Sequence, residues 1–244
     1  MTKTQFTNLN NEPKSTHIKY TILYLFSLLI LPFVVSLLPL GDLTILLAST
    51  TLFVSLFGGI YLYRHTLMND LKALKGHWLK VFGAILLAFV LRIILTQIAI
   101  LIFGVRESAN QESIEQLASK IPMVVYAALL VIAAPVAEEL FFREVILHNA
   151  KTPAKKWGLG LLSVLLFAGV HVIADPPTIV LFIPLALPIV LIYFYFERNV
   201  VVSILTHLFF NFIAFLMILV QMSNPEAFEQ LQKQAEGFIT FWMS

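Results

Sequence analysis

The chain alternates long apolar runs with short polar turns, and the runs have the length of membrane crossings. Seven of them, near 20–40, 43–63, 79–103, 122–142, 157–174, 178–196 and 200–222, approach the ~20 apolar residues that an α-helix needs to span a hydrocarbon core. The pattern predicts an all-α, polytopic membrane helix bundle of about seven transmembrane helices, with a range of six to eight. Residues 1–19 are polar and read as a cytoplasmic arm, and 20–222 read as one bundle. The 223–244 segment spaces Phe228, Leu231, Ala235, Phe238 and Trp242 at helical intervals among Glu and Gln, which predicts an interfacial amphipathic helix. Pro135, Pro184 and Pro188 fall inside apolar runs, where a missing N–H and a clashing ring predict bends.

Composition agrees with this reading. Of 244 residues, 59% are hydrophobic and only 12% charged, against about 25% charged in a soluble domain. A net charge of +2 gives no reason to expect a nucleic-acid partner. With no cysteine, disulfides, thiolate metal sites and a cysteine nucleophile are excluded. The lysines and arginines gather on alternate turns: Lys3, Lys14 and Lys19; Arg64, Lys72, Lys75 and Lys80; Lys151, Lys155 and Lys156; then Arg198. The intervening turns hold only Arg106, Lys120 and Lys233. By the positive-inside rule the amino terminus is expected in the cytoplasm of a multi-pass cell-membrane protein.

Against this background a few polar side chains stand out. Glu138 and Glu139 lie side by side in the fourth run, with Arg143 one turn later; each charge at the centre of a span costs roughly 2.5–3.5 kcal/mol on insertion scales. Glu139 and Arg143, four apart, share a helix face in the order that favours an ion pair. Glu138 points about 100° away from Glu139. Phe167 and His171 form FxxxH in the fifth run, His207 and Asn211 form HxxxN in the seventh, and Arg92 stands alone in the third. Counted from the polar turns at 1.5 Å per residue, Glu138 and His171 sit roughly 20 Å deep and His207 roughly 13 Å deep. The three are expected to share a cavity opening toward the lysine-bearing turns, with cleavage near the cytoplasmic face.

A glutamate, two histidines and an asparagine in a water-poor cavity suit hydrolysis. Glu138 can take a proton from water, His171 can orient that water, and His207 and Asn211 can donate hydrogen bonds to the developing oxyanion. Two histidines and a glutamate, here Glu138, His171 and His207, can also bind zinc. HExxH is absent, and the expectation is no cofactor.

The ordered set EExxxR, FxxxH and HxxxN resembles the CPBP family, the CAAX prenyl endopeptidases and bacteriocin-processing or Abi proteins, across roughly 122–222. That resemblance implies an intramembrane endopeptidase whose catalytic residues are Glu138, His171, His207 and Asn211, supported by Glu139 and Arg143. Its substrate would be a membrane-associated peptide or protein within the lipid bilayer. Two other classes also keep ionisable groups inside a membrane: a non-catalytic immunity or scaffold protein, and a proton-coupled transporter.

Overall fold

The computed structural model describes residues 12–41, 43–104, 108–226 and 230. Nine helices organise them: α1 (Lys14–Ser36), α2 (Leu43–Leu62), α3 (Arg64–Ala73), α4 (Trp78–Phe103), α5 (Ala109–Lys120), α6 (Met123–Val145), α7 (Pro153–His171), α8 (Pro176–Tyr195) and α9 (Val200–Ser223). No strand occurs among the described residues. Six of the helices, α1, α2, α4, α6, α8 and α9, are long and apolar enough to cross a membrane. The seventh expected span corresponds to α7, which falls outside the six and carries Lys155 and Lys156 in its first turn. The first span begins at Lys14, inside the segment read as an arm. The expected tail helix lies almost wholly outside the described residues.

Prolines shape two of these helices in the same way. Ahead of Pro32, α1 widens into a π-helical stretch at Phe26–Ile30, and Leu31 N–H bonds five residues back to Phe26. The next bond of that register would need the N–H that Pro32 lacks, and the freed Ser27 carbonyl is taken by the Thr51 hydroxyl of α2 at 3.0 Å. In α6 the π-helical stretch Ala128–Ala133 precedes Pro135, and Ala134 N–H bonds Leu129. Leu130 is then left without its donor, and the side chain of Asn211 from α9 supplies one at 2.9 Å. Each proline thereby ties two helices together.

Helix α6 is the centre of one half of the bundle, packed by α1, α2 and α9; α8 is flanked by α4, α7 and α9 in the other. Close approach on the first side needs Gly59. A Cβ there would sit 2.7 Å from the Tyr20 ring and 2.8 Å from Leu140. Tyr20 is thus held where its hydroxyl donates to the Ala137 carbonyl at 2.9 Å, next to Glu138. Phe57, Leu79, Leu87, Ile102 and Trp157 are exposed on the outer surface of the bundle, which suits a protein wrapped by lipid.

The short α3 anchors α9. Buried Asp70 accepts from Val200 N–H at 2.7 Å, while Asn199 donates to the Asp70 carbonyl at 2.9 Å and caps α9 by accepting from Val202. Burial, with some help from Glu144, pushes the Asp70 carboxyl from 3.8 up to about 8, against the opposing pull of Val200 N–H and Arg198. Between those values the folded chain holds a proton that the unfolded chain has lost, so stability declines as pH rises from 3.8 to about 8 and levels off above. Thermal unfolding of the detergent-solubilised protein should occur at a lower temperature at pH 8 than at pH 5. Asp70→Asn should flatten that difference, and an unchanged slope in the variant would remove Asp70 as its source.

Candidate active site

The four expected catalytic side chains, Glu138, His171, His207 and Asn211, all line one cavity of about 910 Å³. Arg92, Thr96, Phe182 and Tyr126 are also in its wall. Glu138 turns into it, with 15% of its side chain exposed, while its neighbour Glu139 is turned out of the cavity wall and completely buried. This is the rotation expected of adjacent helical residues.

Glu139 pairs with Arg143 as the spacing predicts, Nε to Oε2 at 2.8 Å and Nη2 to Oε1 at 3.2 Å, both side chains fully buried. The second guanidinium arm donates to Ser163 Oγ at 2.7 Å, and that hydroxyl donates to the Phe142 carbonyl at 2.9 Å. Ser163 lies on α7, so Arg143 couples the two helices that carry Glu138 and His171. Ser163 was not among the expected residues, because a lone serine in an apolar run gives no sign of its partner.

His207 joins the two glutamates. Its Nδ1 lies 3.0 Å from Glu139 Oε1 and its Nε2 lies 3.8 Å from Glu138 Oε2. A carboxylate engaged by Arg143 can only accept, so Nδ1 carries the hydrogen and Nε2 faces Glu138 and the cavity. In the neutral ring Nε2 is then an acceptor, and it becomes a donor only in the imidazolium. His171 is set by a different device. Its Nδ1 donates to the Phe167 carbonyl one turn back at 2.7 Å, and its ring stacks on Phe167 and Phe182 at 4.5 and 5.2 Å. That bond leaves Nε2 of the neutral ring with its lone pair, able to accept a proton or a hydrogen bond from water. Phe167 also meets His207 edge to face at 5.6 Å, so the FxxxH phenylalanine spaces the two imidazoles. Asn211 spends one amide hydrogen on Leu130 and keeps a second.

The cavity differs from expectation in its direction. It does not run toward the lysine-bearing turns. It follows the α4 face from Arg92 past Thr96 to Ile100, and its far end is lined by Ser108, Asn110, Glu112 and Glu115 at and along α5. Depth counted from the turns gives height along each helix but not which end of the space between helices stays unfilled. Among the described residues no three His, Cys, Asp or Glu side chains lie close enough together to hold a metal ion.

The sequence model of the Rce1-like family, described as type II CAAX prenyl endopeptidase Rce1-like, matches residues 120–213. The matched segment runs from the end of α5 to α9 and includes every residue of the EExxxR, FxxxH and HxxxN set. No curated protein and no solved structure matches the chain.

Proposed function

We propose that this chain, Rce1-like over residues 120–213, is an intramembrane endopeptidase that hydrolyses a peptide bond of a membrane-associated peptide or protein. The observation that carries the reading is the single cavity lined by Glu138, His171, His207 and Asn211. In the proposed reaction Glu138 takes a proton from water that His171 Nε2 orients by accepting a hydrogen bond from it. The resulting hydroxide attacks the carbonyl carbon, and negative charge moves to the carbonyl oxygen. Asn211 stabilises it with its second amide hydrogen, and His207 does so from Nε2 in the imidazolium form. Loss of one such donor typically costs about 3–4 kcal/mol of barrier. Glu138 then returns its proton to the amine nitrogen as the C–N bond breaks. Glu139 and Arg143 position His207, and no step requires a metal. The catalytic core is 122–222, with the first three spans forming its wall.

The direct test compares membrane peptidomes of cells carrying the wild-type chain with those carrying Glu138→Ala. Fragments present only with the wild type support the reading and identify the substrate. Identical peptidomes with any protective function retained by Glu138→Ala would favour a scaffold.

The proposed orientation, with the amino terminus and the lysine-bearing turns inside, leads the cavity from mid-membrane toward the outer face, where α5 lies. The absence of native cysteine makes labelling clean. Lys155→Cys should react with an impermeant maleimide only after the inner side is opened, and Lys120→Cys should react in intact cells. The reverse pattern would invert the topology.

A further inference from the structure

Arg92 is the one residue singled out by the sequence that the proposed chemistry does not use. It sits mid-way along α4, half-buried, with its guanidinium carbon 5.0 Å from the centre of the Phe210 ring. Among the described residues no carboxylate pairs with it and it makes no hydrogen bond. Glu112 and Glu115 share its cavity but lie toward α5. Eight residues, roughly 12 Å of helix, already separate Arg92 from Ile100 on the way to that end. Those acids are also engaged, Glu112 by Gln116 at 3.0 Å and Glu115 by Gln111 and Gln221 at 2.9 and 3.3 Å. A guanidinium is always charged, and stacking on a ring occupies its face while leaving its N–H edge free for a planar, two-oxygen acceptor. Phe210 precedes Asn211 and lies three residues after His207, which brings Arg92 to the turn of α9 that carries the proposed oxyanion donors.

We propose that Arg92 docks a carboxylate of the bound peptide, either its free carboxyl terminus or an acidic side chain, and so sets which bond reaches Glu138. This rests on the peptidase reading, since it supplies the substrate determinant of that same cavity. The alternatives are weaker on chemistry. Chloride makes no use of the paired N–H edge, and a phosphate would need a phospholipid headgroup far from its usual depth at the membrane surface.

The test uses the full chain carrying Glu138→Gln, solubilised in detergent, and three N-lauroyl tripeptide probes. One has a free carboxyl terminus and neutral side chains, one is an amide with a single Glu, and one is a neutral amide. Native mass spectrometry reads which is retained. Retention of either acid at least tenfold over the neutral amide, lost with Arg92→Gln and partly recovered with Arg92→Lys, is the expected result, and which acid is kept identifies the source of the carboxylate. Equal retention of all three, retention of none, or an acid preference that survives Arg92→Gln would overturn it. So would a co-purifying phospholipid that is lost with Arg92→Gln while neither acid is held. The same preparation without Glu138→Gln separates this from the peptidase reading. An acid preference with no cleavage by the wild type fails the peptidase alone, and cleavage with no acid preference fails the docking alone.

Discussion

Glu138→Ala and Glu138→Gln should each lower turnover of a cleaved peptide by about 10²- to 10⁴-fold, the usual contribution of a positioned general base, while the protein accumulates in the membrane at the wild-type level. The second half of that expectation comes from packing. Glu138 is the acid of the pair that faces open space, its contact with His207 Nε2 is long at 3.8 Å, and Arg143 belongs to Glu139. Removing its charge strands no buried partner. Glutamine is the sharper variant because it keeps the shape and the hydrogen-bonding oxygen while removing the basic one. Turnover should be measured in nanodiscs with a peptide identified from the peptidome comparison, alongside folded yield by gel filtration. Normal cleavage by either variant would remove Glu138 as the base, and a lost yield would return it to a structural role.

Parts of this site were readable from spacing because a helix has a fixed period. Glu139 and Arg143, or His207 and Asn211, share faces through a separation of four, and Glu138 falls on another face through a separation of one. Rise per residue puts Glu138 and His171 at roughly 20 Å and His207 at roughly 13 Å from their polar turns, near enough in height for the one cavity that all three line. What stayed illegible depends on contacts between helices. Pro135 is visible in the sequence, but the π-helical register ahead of it, which leaves Leu130 for Asn211, is not. Tyr20 on Ala137 and Ser163 on Arg143 join residues 117 and 20 apart in the chain, and nothing local marks either pair. The course of the cavity is not legible in the sequence for a related reason. Height on a helix says nothing about which neighbouring side chains fill the space above or below. The count of spans was blurred by α7, whose apolar run is preceded within the same helix by Lys155 and Lys156.

Arg143→Ala should damage the fold as well as the activity. The guanidinium is fully buried, pairs with a fully buried carboxylate at 2.8 Å, and donates to Ser163 across to α7. Taking it away leaves Glu139 with His207 Nδ1 as its remaining partner. Breaking one member of such a pair is destabilising by about 3–5 kcal/mol, because an uncompensated charge stays in a medium that solvates it poorly. That is a large share of a typical net stability of about 5–15 kcal/mol, so folded yield and unfolding temperature should both fall. Arg143→Lys keeps a charge near Glu139 but loses the forked geometry that reaches Glu139 and Ser163 together, and an intermediate loss is expected. The decisive variant adds Glu139→Gln to Arg143→Ala. It removes the stranded charge, so part of the lost unfolding temperature should return, yet activity should not, since His207 no longer has a carboxylate to hold Nδ1 and direct Nε2 at the cavity. Thermal unfolding in detergent and turnover in nanodiscs separate the two effects. Full yield and an unchanged unfolding temperature in Arg143→Ala, with activity gone, would instead place Arg143 in the chemistry itself.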